Sequence, residues 1–332
     1  MRATAARVLS RSRRHASTLP AAVHIPTWVR ENQASFAPPV MNKLLHREQL
    51  SVMFVGGPNQ REDFHLEEGS EFFYQLKGDM ALPTIQAGEL EVVHIREGDV
   101  FLLPSRIPHS PQRPNPGSLG LVIERQRYEH EPPDGLRWYT DFTKCDQVLW
   151  ERYFHCYDLG RDLVPVVTAY NESEEKRTRV PTAESVVCNP PLQQDTTTRV
   201  PPPFRLSEWL EANAAALDSG SVLNLFEGHP DGEFSVRVAG GRSEQIVTEP
   251  WPHETWLYQL SGSARVEMSA EDGGSGSSGS SGGSSSGGGS VTMLEEGACL
   301  VVPAGARFRV ERPEESRGLV VTNDPLGNKG RG

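Results

Sequence analysis

The sequence predicts an all-β fold built twice over in one chain, with a few connecting helices, and three observations carry that prediction. Residues 40–127 are a succession of short Val/Ile/Leu/Phe runs, at 50–55, 72–76, 92–95, 100–103 and 119–123. Gly, Pro and Asn clusters separate them and supply the dihedrals that turns require. Many short strands at this spacing make a sandwich or a barrel, not a parallel α/β sheet. The last third of the chain then repeats the first: WLYQLSG at 256–262 matches FFYQLKG at 72–78 at an offset of 184, and GACLVVPAG from Gly297 matches GDVFLLPSR from Gly98 at an offset of 199. The offset grows because a Gly/Ser run, residues 273–290, interrupts the second copy. Such a run cannot pack a core, so a disordered loop between two strands is expected there.

Composition bounds the rest. At 332 residues and 36% hydrophobic, the chain has room for about two domains. No apolar run approaches the roughly 20 residues of a membrane-spanning helix, so a soluble protein with no membrane partner is expected. The net charge of −11 argues against a nucleic-acid partner, which would have to be attracted through its phosphates. Cys145, Cys156, Cys188 and Cys299 show no C-x-x-C spacing, which speaks against a structural zinc site or a disulfide framework and for reduced thiols.

Taken in order, residues 1–30 carry six arginines and no acid, the profile of a transit peptide or else of a disordered leader. The first β unit spans 31–160. Near its end, in residues 141–159, the apolar positions Val148, Leu149, Tyr153, Phe154 and Tyr157 suit an amphipathic helix, and His155 within it reads as a partly buried structural histidine. Residues 161–205, rich in Pro, Thr, Glu and Arg from 171 onward, form the expected extended linker. A short helix follows at 207–217, with Ser207 as N-cap, Glu208 in the first turn and Gly220 just past the end. The second β unit spans 206–327.

The residues with chemistry to offer lie in the first unit. GPNQREDFHLEEGSEFFYQLKG at 57–78 delivers His65 and Glu71, and GDVFLLPSRIPHSPQR at 98–113 delivers His109. Two histidines and one carboxylate hold iron(II) on one face and leave positions open. Carried across the repeat offsets, His65, Glu71 and His109 become Glu249, Thr255 and Phe308, so the second unit is expected to hold no metal. His253 and Glu254 are adjacent there and would point to opposite faces of a strand.

These stretches resemble the paired motifs of the cupin barrels, with Asp63 standing where the first histidine of H-x-H is usual and Arg106 and Arg113 where Gly and Asn are common. The fold this implies is two cupin (double-stranded β-helix, jelly-roll) barrels, the first catalytic and the second degenerate. The segments NKLLHREQLSVMFVGGPNQREDFHLEEGSEFFYQLKGDM at 42–80 and FLLPSRIPHSPQRP at 101–114 are more specific. They resemble the 3-hydroxyanthranilate 3,4-dioxygenase family, in its two-cupin animal and fungal form, across most of residues 40–324. Ser70 departs from the paired glutamates of that family, while Glu71, the ligand position, is present.

The resemblance implies Fe(2+) held by His65, Glu71 and His109, and a substrate, 3-hydroxyanthranilate, cleaved with O2. It places Arg61 at the dioxygen side, Arg113 on the substrate carboxylate, Glu124 and Glu71 on substrate, and Asn42 in the pocket. Asp63 would support Arg61 or a ligand histidine. The implied product is 2-amino-3-carboxymuconate semialdehyde, which closes to quinolinate on the route to NAD. A monomer in the cytoplasm is the family expectation; the Arg-rich N-terminus points instead to a mitochondrion. Two other readings compete: a binding or storage protein without turnover, expected to lose ligands in both barrels, and a thiol dioxygenase, expected to lack the Arg113 and Glu124 pair.

Overall fold

The computed structural model describes residues 20–37, 41–269 and 289–323; residues 1–19 of the expected leader and 273–288 of the Gly/Ser run lie outside that set. In the first half, a six-stranded sheet runs in the order Phe204–Arg205, Asp99–Leu103, Glu71–Lys77, Leu119–Arg125, Leu50–Gly56, Asn42–Arg47. Opposite it lie Asp63–Leu66, Asp134–Tyr139 and Val148–Phe154, together with the hairpin of Met80–Gln86 and Glu89–Ile95. The second half repeats this arrangement, with a six-stranded sheet and a four-stranded one. Two jelly-roll barrels in one chain are therefore present, as the cupin resemblance implies.

Side-chain alternation explains how the barrels stack. Along a strand, successive residues face opposite sides of the sheet. Val52 and Phe54, Phe72, Leu102, Leu121 and Ile123 point out of the first barrel into one core shared with Val236, Val238, Trp256, Val301, Leu319 and Val321 of the second. Met53, Phe73, Phe101, Leu103 and Val122, the residues between them, fill the first barrel's interior. The two large sheets are thus apolar on both faces, which is why their strands read as continuous hydrophobic runs.

The halves also exchange edge strands. Val23–His24 pairs antiparallel with Cys299 and Ala298 of the second barrel, and Phe204–Arg205 pairs with Val100 and Asp99 of the first. Residues 20–30 are therefore not a detachable leader: Ile25 is buried, and Trp28 packs on Phe54 with ring centroids 5.3 Å apart. Composition concealed this, because a few well-placed apolar residues suffice to dock a short helix, here Ile25–Glu31.

Three further expectations need correction. The helix expected at 141–159 is instead the strand Val148–Phe154, paired with Asp134–Tyr139. Its residues VLWERYF are mostly β-branched or aromatic, and cross-strand pairs decide the matter: Trp150 meets Trp138 edge-on, and Glu151 accepts from Arg137 at 2.8 Å. His155, just beyond, is exposed and stacks on Tyr157. The helix comes later, at Leu159–Glu172, capped by Asp158. Residues 161–205 are accordingly no extended linker. They hold most of that helix and another at Glu174–Thr178, and the rest is pinned to the first barrel through Ser185 to Leu149, Gln194 to Arg137 and Val200 to Gln86. The helix expected at 207–217 is two, Leu206–Ala212 and Ala214–Asp218, broken at Asn213. Arg205, not Ser207, occupies the first cap position, while Gly220 does follow the second helix at φ +95. Among the described residues no helix is long and apolar enough to cross a membrane.

Candidate metal and substrate site

His65 and His109 face each other across two antiparallel segments. His65 N–H donates to His109 O at 2.8 Å and His109 N–H to His65 O at 2.9 Å. Directly opposed residues of such a pair project to the same face, and the two rings lie 5.4 Å apart. Glu71 opens the strand Glu71–Lys77 of the six-stranded sheet, on the inward side shared with Phe73. One donor atom from each of the three lies within 4.8 Å of the others, and all three residues are buried.

The electrostatics suit a cation at this point. His109 Nδ1–H donates to Ile107 O at 3.0 Å, which leaves Nε2, 2.7 Å from Glu71 Oε1. Even so, Glu71 Oε1 has no hydrogen bond of acceptable geometry. A buried carboxylate oxygen in that state is costly unless a cation meets it. Burial raises the Glu71 carboxyl, but His109 chiefly, with Glu67 and His65, outweighs this and holds it at about 2. Burial lowers His109, and the Glu71 carboxylate more than offsets it, raising the imidazole. The donor set therefore fits a divalent metal.

A second layer escaped the sequence reading. Asp134 Oδ2 accepts from His65 Nε2 at 2.9 Å; an imidazole bound to a carboxylate through one nitrogen keeps the lone pair of the other for a metal. Arg127 joins this layer together, reaching Asp134 at 3.0 Å, Glu124 at 2.5 Å and Glu67 at 2.5 Å. Three carboxylates, those of Glu67, Glu71 and Glu124, crowd together here. Burial pushes Glu67 well above the usual carboxylate range despite Arg127, and raises Glu124 less far. Nothing at the level of local pattern marks Asp134 or Arg127; each lies on a segment remote in sequence from the ligand motifs.

Arg113 is the most unusual side chain of the pocket. It is 1% exposed, and its Nε and Nη2 have no partner. Burial depresses the guanidinium to about 10, with Glu71 pulling the other way. Gly120 makes the room, since a Cβ there would stand 2.7 Å from Arg113 Nη2 and 2.6 Å from Gln75 Oε1. Arg61, by contrast, is held on both sides. Its guanidinium pairs with Asp63, through Nε at 3.0 Å and a closer Nη2 contact, and its backbone exchanges hydrogen bonds with the Gln112 amide. Gln112, one residue before Arg113, was also not foreseen.

Asn42, Arg61, His65, Glu71, His109, Arg113 and Glu124 all line one cavity of ≈ 120 Å³, and Leu163 from the helix Leu159–Glu172 closes one wall. Asn42, Met53 and Glu124 also border a broad outer cleft of ≈ 960 Å³. In the second barrel the corresponding Thr255 and Phe308 are buried and Glu249 is exposed, and both groupings of metal-type donors among the described residues belong to the first barrel. Glu254 instead joins the barrels, accepting from His46 Nε2 at 3.0 Å and from Leu50 N–H at 2.8 Å.

Comparison with known proteins finds relatives along nearly the whole chain. A family model described as 3-hydroxyanthranilic acid dioxygenase matches residues 18–171. Proteins named 3-hydroxyanthranilate 3,4-dioxygenase are 42% identical in Rattus norvegicus, over 92% of this chain and 98% of theirs, and 40% identical in Homo sapiens, over 92% and 97%. One from Nematostella vectensis is 41% identical over 91% of this chain and 99% of its own. The chain belongs to the 3-hydroxyanthranilate 3,4-dioxygenase family.

Proposed function

We propose that the chain is an iron(II)-dependent dioxygenase that opens the ring of 3-hydroxyanthranilate with O2 to give 2-amino-3-carboxymuconate semialdehyde, the precursor of quinolinate. The observation that carries this reading is the pairing, on the wall of one small cavity, of a two-histidine, one-carboxylate donor set with an unpartnered buried guanidinium. His65, Glu71 and His109 would hold the iron. Iron(II), unlike zinc, supplies the redox chemistry that couples an electron-rich ring to dioxygen.

The side chains do the rest. Arg113 takes the substrate carboxylate, where its planar fork matches two oxygens and ends its own isolation. That contact fixes the ring at one end, so the amino and hydroxyl groups turn toward Glu71 and Glu124. Glu124 is suited to accept the phenolic proton, because burial raises its carboxyl toward the working pH. Arg127 steadies it in place. Arg61, fixed by Asp63 and Gln112, supplies positive charge on the dioxygen side. Met53, Val55, Phe73, Val122 and Leu163 line the apolar walls and exclude water from the ring, and Asn42 adds a polar contact at the rim.

Anaerobic loading with iron(II), then addition of 3-hydroxyanthranilate and air, is expected to produce the absorbance of the semialdehyde. Substrate recovered unchanged from an iron-loaded chain would refute the proposal. Asp134→Asn is expected to keep the fold and weaken iron binding about 10- to 100-fold, the usual range for a carboxylate behind a ligating histidine. Chelator competition measures it, and wild-type affinity would remove Asp134 from the site.

A further inference from the structure

Among its described residues the second barrel carries no ligand set, yet it reaches the surroundings of the first barrel's site, above all through Glu233. Glu233 is the residue just before the strand Phe234–Ala239, and it is 3% exposed. Its Oε2 accepts from Ser70 N–H at 2.5 Å and its Oε1 pairs with Arg125 Nε. Ser70 immediately precedes Glu71, and Arg125 immediately follows Glu124. One carboxylate from the second half therefore touches the chain neighbours of both acidic residues assigned to metal and substrate. The other side of Arg125 is held by Glu131, at 2.6 and 2.8 Å, so the guanidinium is fully enclosed.

Glu233 does not act alone in its segment. His229 Nε2–H donates to Leu102 O at 2.9 Å, and Asp231 Oδ2 accepts from Ser105 N–H at 2.9 Å. Those two residues flank the end of the strand Asp99–Leu103, from which the chain continues to His109. Residues 229–233 thus bind the ends of all three strands that lead to or carry Glu71, His109 and Glu124.

The internal repeat supplies a control. At the same offset of 184, Gln49 corresponds to Glu233 and Glu254 to Ser70. Gln49 Oε1 accepts from Glu254 N–H at 2.8 Å, the reciprocal of the Glu233 contact to Ser70. Each barrel therefore clasps the start of the other's motif strand. The clasp onto the second barrel is a neutral amide, whereas the clasp onto the site is a carboxylate with a second donor, Arg125, to satisfy.

We infer that Glu233 is a positioning residue: through Ser70 and Arg125 the second barrel sets the placement of Glu71 and Glu124, and this is the second barrel's contribution to the site. The inference rests on the proposed roles of Glu71 and Glu124. An isosteric amide cannot replace the carboxylate, because two donors converge on its two oxygens and an amide offers only one acceptor.

The test uses the full chain and the variants Glu233→Gln, Arg125→Lys and Gln49→Ala. Thermal midpoint, iron(II) affinity by chelator competition, and kcat and KM for 3-hydroxyanthranilate are measured for each. Glu233→Gln and Arg125→Lys are expected to lose about tenfold in iron affinity and to raise KM, as removal of an outer support does. Gln49→Ala is expected to lower the thermal midpoint while leaving iron affinity and KM at wild-type values. Wild-type iron affinity and KM in both Glu233→Gln and Arg125→Lys would overturn the inference, and so would equal losses in Gln49→Ala, which would mark a general interface effect. A wild-type chain that binds no iron would instead refute the functional reading itself.

Discussion

His109→Ala will leave a folded chain that retains no iron and has lost turnover by at least about a thousandfold, each factor of ten being about 1.4 kcal/mol of transition-state stabilisation. The backbone hydrogen bonds between residues 109 and 65 do not involve the imidazole, so the antiparallel bridge survives the substitution. What disappears is one donor of three, and His65 with Glu71 alone cannot hold a labile divalent ion against chelator. The change also has a signature in stability. Glu71, held at about 2, contributes stability that is fully present above its unfolded value and is lost as pH falls through its folded one. Without His109 the carboxyl titrates at higher pH and that contribution goes. The variant should therefore melt below the metal-free wild type in mildly acidic solution, where both partners of the lost pair are charged, by a margin that narrows only as the pH falls below the ordinary carboxylate range toward the Glu71 value. One iron per chain with full activity in the variant would remove His109 from the site.

Arg113→Lys separates function from stability in the opposite sense. An ammonium keeps the charge and loses the fork, so the substrate carboxylate is held by one contact in place of two. KM is expected to rise about 30-fold or more, in line with about 2 kcal/mol or more for a buried charged contact, while kcat changes less. The wild-type guanidinium is buried with two nitrogens unpartnered and a depressed pKa, a state that burial makes unfavourable. Arg113→Met should consequently bind substrate even more weakly yet melt no lower than wild type. Together the two variants ask whether this residue is retained for binding at the expense of the fold. An unchanged KM in both would end the carboxylate assignment.

How much of this was readable in advance depended on whether a signal was local. His65, Glu71 and His109 were legible because strand alternation and motif spacing confine them to one face, and the repeat exposed the second barrel by the same logic. Arg61, Arg113 and Glu124 entered through family resemblance; burial with missing partners now supplies a physical account for Arg113, and burial that raises its carboxyl does so for Glu124. Asp134, Gln112 and Glu233 left no trace in local pattern, since each acts across a contact made only when distant segments meet, and Arg127 gains its role from the carboxylates those contacts gather around it. The strand Val148–Phe154 was misread because its apolar residues satisfy a helical period as well as an alternating one, and the partner that decides between them, Asp134–Tyr139, is set by tertiary pairing.

The exchange of edge strands changes what a domain boundary means in this chain. Residues 23–24 complete the sheet of the far barrel and residues 204–205 complete the sheet of the near one, which is the connectivity of a domain-swapped dimer written into a single polypeptide. A proteolytic nick between residues 161 and 205 would therefore leave two fragments still interlocked. A recombinant fragment ending at residue 160 would instead expose the unpaired edge of Asp99–Leu103, an invitation to aggregate. Shortening the N-terminus past residue 24 would injure first the barrel that lies farthest away in sequence.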